Sequence, residues 1–387
     1  MALPSVNVSL TEDNFVIKEG EPQGEFLCGI VVENMDIINA TGLTKEVSDK
    51  FMEVNSLSDW WGRLSLITRN GSGIEFDGLS GGTGRWPNGA TGTWKDAWWA
   101  IETYLEYGGK AVVGVSGSSP FNSLNTHNLN AIFGVTTGVE SDFGTILTNR
   151  QKDCVALFNI ESKESPSTPS GADGNRIYIY GSQFVLPAGT DPNTITNDDD
   201  YIEVPLVAGV AGCLARTQRV AAPWYSPAGL NRGTILNANL KDPPTAQEAI
   251  TLSDNRINSV LGFPGRDPAL FGNKTGSPTG SVDDTIEKTM LILYIKRTIG
   301  EFANSTLFEQ NNFTTRQVFS NQASAVLEDI KAQNGITEYR IVCDESNNPQ
   351  SSVIQGKFNA ELYIKTVASV EEIKISFNNY DEQTDIN

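Results

Sequence analysis

The sequence predicts an α/β (α+β) chain of more than one domain, with mixed sheets flanked by helices and extended β-strand arms at both ends. Three observations lead there. The length, 387 residues, exceeds that of an ordinary single domain. Helical and strand patterns alternate between Trp94 and Phe158, the mark of a layered α/β body. Alternating apolar residues stand near both termini, and the first set is set off by a polar stretch.

In chain order, Val6, Val8 and Leu10 alternate with Asn7, Ser9 and Thr11 as in a half-buried strand. Lys18 to Gly24 is a linker with breakers, so that strand must pair with a host sheet, in this molecule or another. Phe26 to Val32 reads as a buried strand, and Thr44 to Val54 as a short helix. Residues 69–93, rich in Gly, Asn, Ser and Thr, form a long loop. Trp94 to Tyr107 is an amphipathic helix carrying Trp98, Ile101 and Leu105, with Gly108 as its left-handed C-terminal residue. Strands follow at Ala111–Val115, Ala131–Phe133, Cys154–Phe158 and Ile177–Tyr180, with a helix near Asp142–Asn149. Residues 160–175 and 187–200 are polar connections.

Pro205 to Arg219 reads as a helix with small residues at its packing face, and Ala246 to Leu252 as another. Two long helices are expected near Asp284–Phe302 and Thr314–Asn334. In the second, Val318, Ala325 and Leu327 make an apolar stripe that Gly335 ends. Glu338 to Cys343 is a strand. Phe358, Ala360, Leu362 and Ile364 share one face of the next, and Ile373, Ile375 and Phe377 mark a last strand before a polar tail. The resulting organisation is an N-terminal arm (1–24), an outer α/β region (25–204), an inner domain (205–367) and a C-terminal arm and tail (368–387).

Composition excludes several function classes. With 28 Lys+Arg against 47 Asp+Glu the net charge is -19, and so acidic a surface repels phosphate backbones; no nucleic-acid partner is expected. The single histidine, His127, argues against histidine-rich metal sites. Cys28, Cys154, Cys213 and Cys343 lie far apart in apolar neighbourhoods and read as buried free thiols of a reducing compartment. Met1 to Pro4 lacks the basic start of a signal peptide, and the apolar run Met290–Ile295 is too short to span a bilayer, so a soluble chain made in a cytoplasm, without membrane insertion, is expected.

Candidate chemistry is thin. Gly78-Leu79-Ser80-Gly81-Gly82 fits the G-x-S-x-G pattern, which would lift Ser80 onto a strand-to-helix turn. The glycine- and proline-containing run that follows cannot form that helix, and the sole base, His127, stands in a polar loop. A serine hydrolase using Ser80 is the alternative of another class. The glycines at 81–84 lack the lysine of a phosphate loop, and Asp198–Asp200 lack the glycine of a calcium loop. Trp60, Trp61, Trp94, Trp98 and Trp99 read mainly as core, with an outward stacking patch as the other possibility. No catalytic, cofactor or metal constellation emerges.

The C-terminal half carries a resemblance. Residues 223–233, Pro-Trp-Tyr-Ser-Pro-Ala-Gly-Leu-Asn-Arg-Gly, are similar to the W-x-x-P-A-G-x-x-R-G segment of the tail sheath proteins of contractile phages and related injection systems. Ahead of them, Ala211-Gly212 and Ala215-Arg216-Thr217 resemble that family's A-G-x-x-A-R-T run. Residues 255–275 resemble its strand–turn segment. Phe308-Glu309-Gln310-Asn311-Asn312 resembles F-E-P-N-(N/D), with Gln310 in place of a common proline. Cys343-Asp344 and Asn348-Pro349 resemble C-D-x-x-x-N-P. The order of the pieces agrees over residues 205–377.

The resemblance implies a non-enzymatic structural subunit that polymerises as stacked, commonly hexameric rings around a tail tube and contracts from a metastable extended state. Its implied partners are other copies of itself through strand exchange, the tail tube protein, the baseplate and the tail terminator. Its implied place is the virion tail, after assembly in the host bacterial cytoplasm. A bacterial tailocin or secretion-type apparatus is the alternative owner. Self-assembly would use Val6, Val8 and Leu10, with Ile373, Ile375 and Phe377 added to a host sheet containing Leu362 and Ile364. Lys288, Lys296, Arg297, Arg316 and Lys331 on the two long helices are candidates for a basic patch facing an acidic tube.

Overall fold

The computed structural model describes residues 26–32, 51–60, 75–76, 87–88, 93–115, 127–135, 143–150, 152–164, 166, 173–185, 202–236 and 238–369. Val6, Val8, Leu10, Ile373, Ile375, Phe377, Ser80 and Asp198–Asp200 lie outside these residues, as do the side chains of Trp61 and Trp94.

The strands run in chain order as β1 (Leu27–Val32), β2 (Phe51–Val54), β3 (Glu75–Phe76), β4 (Pro87–Asn88), β5 (Lys110–Val115), β6 (Ala131–Gly134), β7 (Val155–Ile160), β8 (Arg176–Tyr180), β9 (Ser182–Val185), β10 (Ile202–Pro205), β11 (Asn239–Leu240), β12 (Ile257–Phe263), β13 (Arg266–Leu270), β14 (Ile336–Val342) and β15 (Glu361–Thr366). Eight of them form one sheet in the order β13-β12-β8-β7-β6-β1-β5-β2. The six inner strands are parallel, and an antiparallel strand closes each edge. Buried on both faces, β1 reads as an unbroken apolar run, as inner parallel strands must.

The helices with described bounds are α1 (Thr93–Leu105), α2 (Phe143–Asn149), α3 (Leu206–Val220), α4 (Ala246–Asp254), α5 (Ile286–Thr306), α6 (Phe313–Ala332) and α7 (Gln350–Ile354). On one face of the sheet, Cys28, Ile30 and Val113 pack with Ile101 and Leu105 of α1 and Val207, Val210 and Leu214 of α3. On the other, Leu27, Val31 and Ile132 pack with Ile146 and Leu147 of α2 and Leu252 of α4. A third core joins α5, α6, β14 and β15 into a C-terminal lobe. Among the described residues no helix is long and apolar enough to cross a membrane.

Most expected elements are present, and Gly108 ends α1 with φ +78°. Three expectations are corrected. Phe51–Val54, expected to finish a helix, is strand β2, because the edge of β5 offers it four antiparallel partners. The buried stripe of α6 is Phe319, Ala323, Leu327 and Ile330, while Val318 and Ala325 are exposed. The left-handed residue after α6 is Asn334 (φ +61°); Gly335 is needed instead for close approach, since a Cβ there would lie 2.6 Å from Ile330 and 3.0 Å from Trp224. The large sheet takes strands from both sides of residue 205.

The residues of the resemblance act as fasteners. Gly212 brings α3 against the Tyr107 ring, so closely that a Cβ would sit 2.3 Å from it. Arg216 lies over that ring at 5.2 Å and donates to the carbonyls of Thr234 (2.8 Å) and Arg232. The buried Tyr107 hydroxyl accepts from the Leu236 amide at 2.8 Å, and burial pushes its pKa up. Trp224 and Tyr225 both donate to the Gln333 carbonyl, at 3.2 and 3.3 Å, tying the segment to the end of α6. In the lobe, the buried Asn348 accepts from the Asn359 amide at 2.7 Å and donates to the Asn359 carbonyl at 2.7 Å, closing β14 onto β15.

Two stability changes are expected in denaturant titrations of the full chain. Gly212→Ala gains helix propensity of up to ~1 kcal/mol yet overpacks Tyr107 at ~1–3 kcal/mol, so the net change is a loss. Asn348→Ala leaves buried backbone groups unpaired and costs about 1–3 kcal/mol.

Candidate assembly surfaces

Of the residues expected to build the intersubunit mesh, the structure describes Leu362 and Ile364. They lie on β15 and point inward, half-buried, against the C-terminal lobe core with Tyr339 and Ile341 of β14. β14 and β15 form a two-stranded antiparallel sheet of their own, paired from Ile336↔Thr366 to Val342↔Glu361. Among the described strands, each therefore has one edge without a ladder partner. A two-stranded ribbon is marginal alone, and an open edge presents main-chain donors and acceptors to a further strand. One face of this ribbon is anchored on α6; the other carries Glu338, Arg340, Glu361, Tyr363 and Lys365, all exposed.

The proposed basic patch does not form as a set. Arg297 is half-buried and donates to the carbonyls of Asp153 (2.7 Å) and Leu129, bolting α5 to the starts of β6 and β7; desolvation pushes its pKa down. Lys296 is buried on the same helix. Arg316 is buried beneath the α5–α6 turn and donates to Asn311 at 3.0 Å. Lys288 pairs with Asp284 at 2.6 Å, one helical turn away. Lys331 alone of the five is exposed, 5.8 Å from the centre of the Tyr339 ring. The pattern of cations along α5 and α6 gave no sign of this, because a long cationic side chain inside a lobe looks in sequence like one outside it.

The other candidates resolve into structure. His127 lies 2.9 Å from Glu53 on β2 and joins no described nucleophile. Trp60, Trp98 and Trp99 are core residues, and Trp60 stacks on Trp98 at 4.0 Å. All four cysteines are free and buried, and burial pushes the thiols of Cys154 and Cys213 up to about 11 and about 12. Among the described residues no group of three or more acidic, His or Cys side chains could hold a metal.

Sequence reasoning passed over one surface. At the α5–α6 turn, Phe308 (φ +69°) is 87% exposed and Phe313 62%; Ile354 of α7 is 76% exposed. The Asn311 side chain donates to the Lys357 carbonyl at 2.7 Å, which brings the turn to the end of α7. The signal available in sequence was Phe308 itself, an aromatic residue in a polar turn.

Comparison with known proteins agrees with this architecture. Residues 284–379 match the phage tail sheath C-terminal domain. The tail sheath protein of Vibrio phage KVP40 is 37% identical over 238 residues, covering 60% of this chain and 35% of that protein. The tail sheath protein of Enterobacteria phage T4 is 36% identical over 221 residues, covering 57% of this chain and 31% of its own length. The chain thus spans about a third of the length of these curated relatives. In three dimensions it is similar to the contracted helical sheath of the anti-feeding prophage, with TM-score 0.69 at 15% identity, covering 98% of this chain and 99% of that one. The chain is similar in sequence to the tail sheath proteins of these two phages and has the fold of a contractile sheath subunit.

Proposed function

We propose that this chain is a structural subunit of a contractile tail sheath, polymerising in stacked, hexameric rings around a tail tube and driving it through the host envelope as the sheath shortens. The observation that carries this reading is the 36–37% identity to two phage tail sheath proteins in a chain that has the sheath fold. Self-association does the work, and the reading asks no chemistry of Ser80 or His127. Its partners are other copies of itself, the tube protein, the baseplate and the tail terminator. Its place is the virion tail, reached after assembly in the bacterial cytoplasm.

The mesh is built by strand addition. Val6, Val8 and Leu10 of one copy and Ile373, Ile375 and Phe377 of another extend the β14–β15 ribbon that holds Leu362 and Ile364. Main-chain hydrogen bonds supply affinity, and alternate side chains fix register. An arm of about 20 residues reaches up to ~70 Å, enough to cross a neighbour. Lys331 is the remaining candidate for contact with an acidic tube. Contraction needs no nucleotide: burying ~400 Å² more apolar surface per subunit releases at most ~10 kcal/mol, summed over many subunits and withheld by a kinetic barrier.

One observation favours a second owner. A bacterial tailocin or secretion-type apparatus is that second reading, supported by the likeness in fold to the anti-feeding prophage sheath chain. Capsid and terminase genes beside its gene decide for the phage.

Negative-stain images of the purified chain are expected to show long hollow cylinders; monomers at every concentration would overturn the sheath reading. Removing residues 1–20 is expected to leave a folded chain that makes no cylinders. Because each subunit carries a net charge of -19, the critical concentration for assembly is expected to fall as salt rises. Light scattering between about 0.05 and about 1 M NaCl, where the Debye length shrinks to ~3 Å, measures this.

A further inference from the structure

The end of the C-terminal lobe differs in charge from the rest of the molecule. Residues 310–327 and 346–356 meet there, joined through the Asn311–Lys357 bond. At the chain's average of 19% charged residues, these two segments would carry about five or six charges; they carry one, Arg316, which is buried, and at their margins Glu309 beside Phe308 and Lys357 at the Asn311 bond add one exposed charge of each sign. From the same end project Phe308, Phe313, Val318 and Ile354, each more than half exposed.

Phe308 is held in a backbone conformation that bulky residues avoid, at φ +69°. The rest of its motif is accounted for inside the lobe. Asn312 caps α6 by accepting from the Thr315 amide at 2.9 Å, and Asn311 holds Arg316 and the Lys357 carbonyl. The Phe308 ring gains no such place, so the turn keeps an unfavourable backbone and presents an aromatic side chain to the outside.

We infer that this neutral apolar end is a contact surface for a second copy of the same chain. An acidic molecule repels its own copies over most of its surface, and a face without net charge lets two of them close to contact with little like-charge repulsion. A basic partner would be met by a cluster of carboxylates, whereas this end offers Glu309 with Lys357 to offset it. The four side chains offer on the order of 500 Å², below the ~800 Å² per partner of a free-standing complex. The surface therefore acts between copies already held together elsewhere, where high effective concentration makes a small contact count. The inference deepens the sheath reading and rests on it for the array, but the contact itself is tested separately.

Phe308→Gly removes the ring and relieves the backbone, so the full-length variant is expected to melt at the same temperature or higher while its critical concentration for assembly rises at least tenfold. Phe313→Ser is expected to raise it in the same direction. An unchanged critical concentration with Phe308→Gly would overturn the inference. Independently, a photo-cross-linking p-benzoylphenylalanine at position 308 of the purified chain, irradiated at concentrations above the unmodified chain's assembly threshold or at the highest attainable, is expected to give a covalent dimer on a denaturing gel. Monomer alone overturns the inference whether or not cylinders form, while an absence of cylinders with a dimer present counts against the sheath reading only.

Discussion

Helix α5 is buried from two directions, and the rest of the molecule is arranged around that constraint. Ile286, Met290 and Leu293 belong to the core under the large sheet, whereas Leu291, Ile295 and Ile299 belong to the core of the C-terminal lobe. A helix with apolar residues on two sides shows only a blurred stripe in sequence, because both faces are core. Arg297 fixes its position by satisfying two strand-end carbonyls that would otherwise be buried without partners. The sheet and the lobe are therefore held by shared packing as well as by chain connection.

The motifs behind the family resemblance serve this arrangement. Gly212, Arg216, Trp224 and Arg232 bring α3, the 223–235 segment and the end of α6 together. Asn348 does the same between the two strands of the ribbon. The similar residues fall where backbone carbonyls and close contacts are satisfied.

Much of the body was legible. The central strands are short apolar runs such as Val31–Val32 and Ala131–Phe133, and burial on both faces leaves them no other reading. Misreadings arose where partners far along the chain decide. Residues 51–54 follow β5, sixty residues away, not their local helical pattern. The phase of α6 slipped because Val318 and Ala325 repeat as regularly as the true core set, Phe319, Ala323 and Leu327. The basic residues of α5 and α6 could not be assigned to inside or outside without knowing what caps them. The arms lie outside the described residues, so the mesh strands remain a proposal drawn from pattern and likeness.

The paired hydrogen bonds from Trp224 and Tyr225 to the Gln333 carbonyl have a mechanical reading. Gln333 follows α6 and stands just before β14, so a pull on the ribbon arrives there first. From that carbonyl the load enters the 223–235 segment. The Gly229 and Ile235 amides then hand it to the carbonyls of Leu270 and Pro268 on β13, the rim of the eight-stranded sheet. Tension on one two-stranded ribbon thus has a hydrogen-bonded route into the edge strand of an eight-stranded sheet.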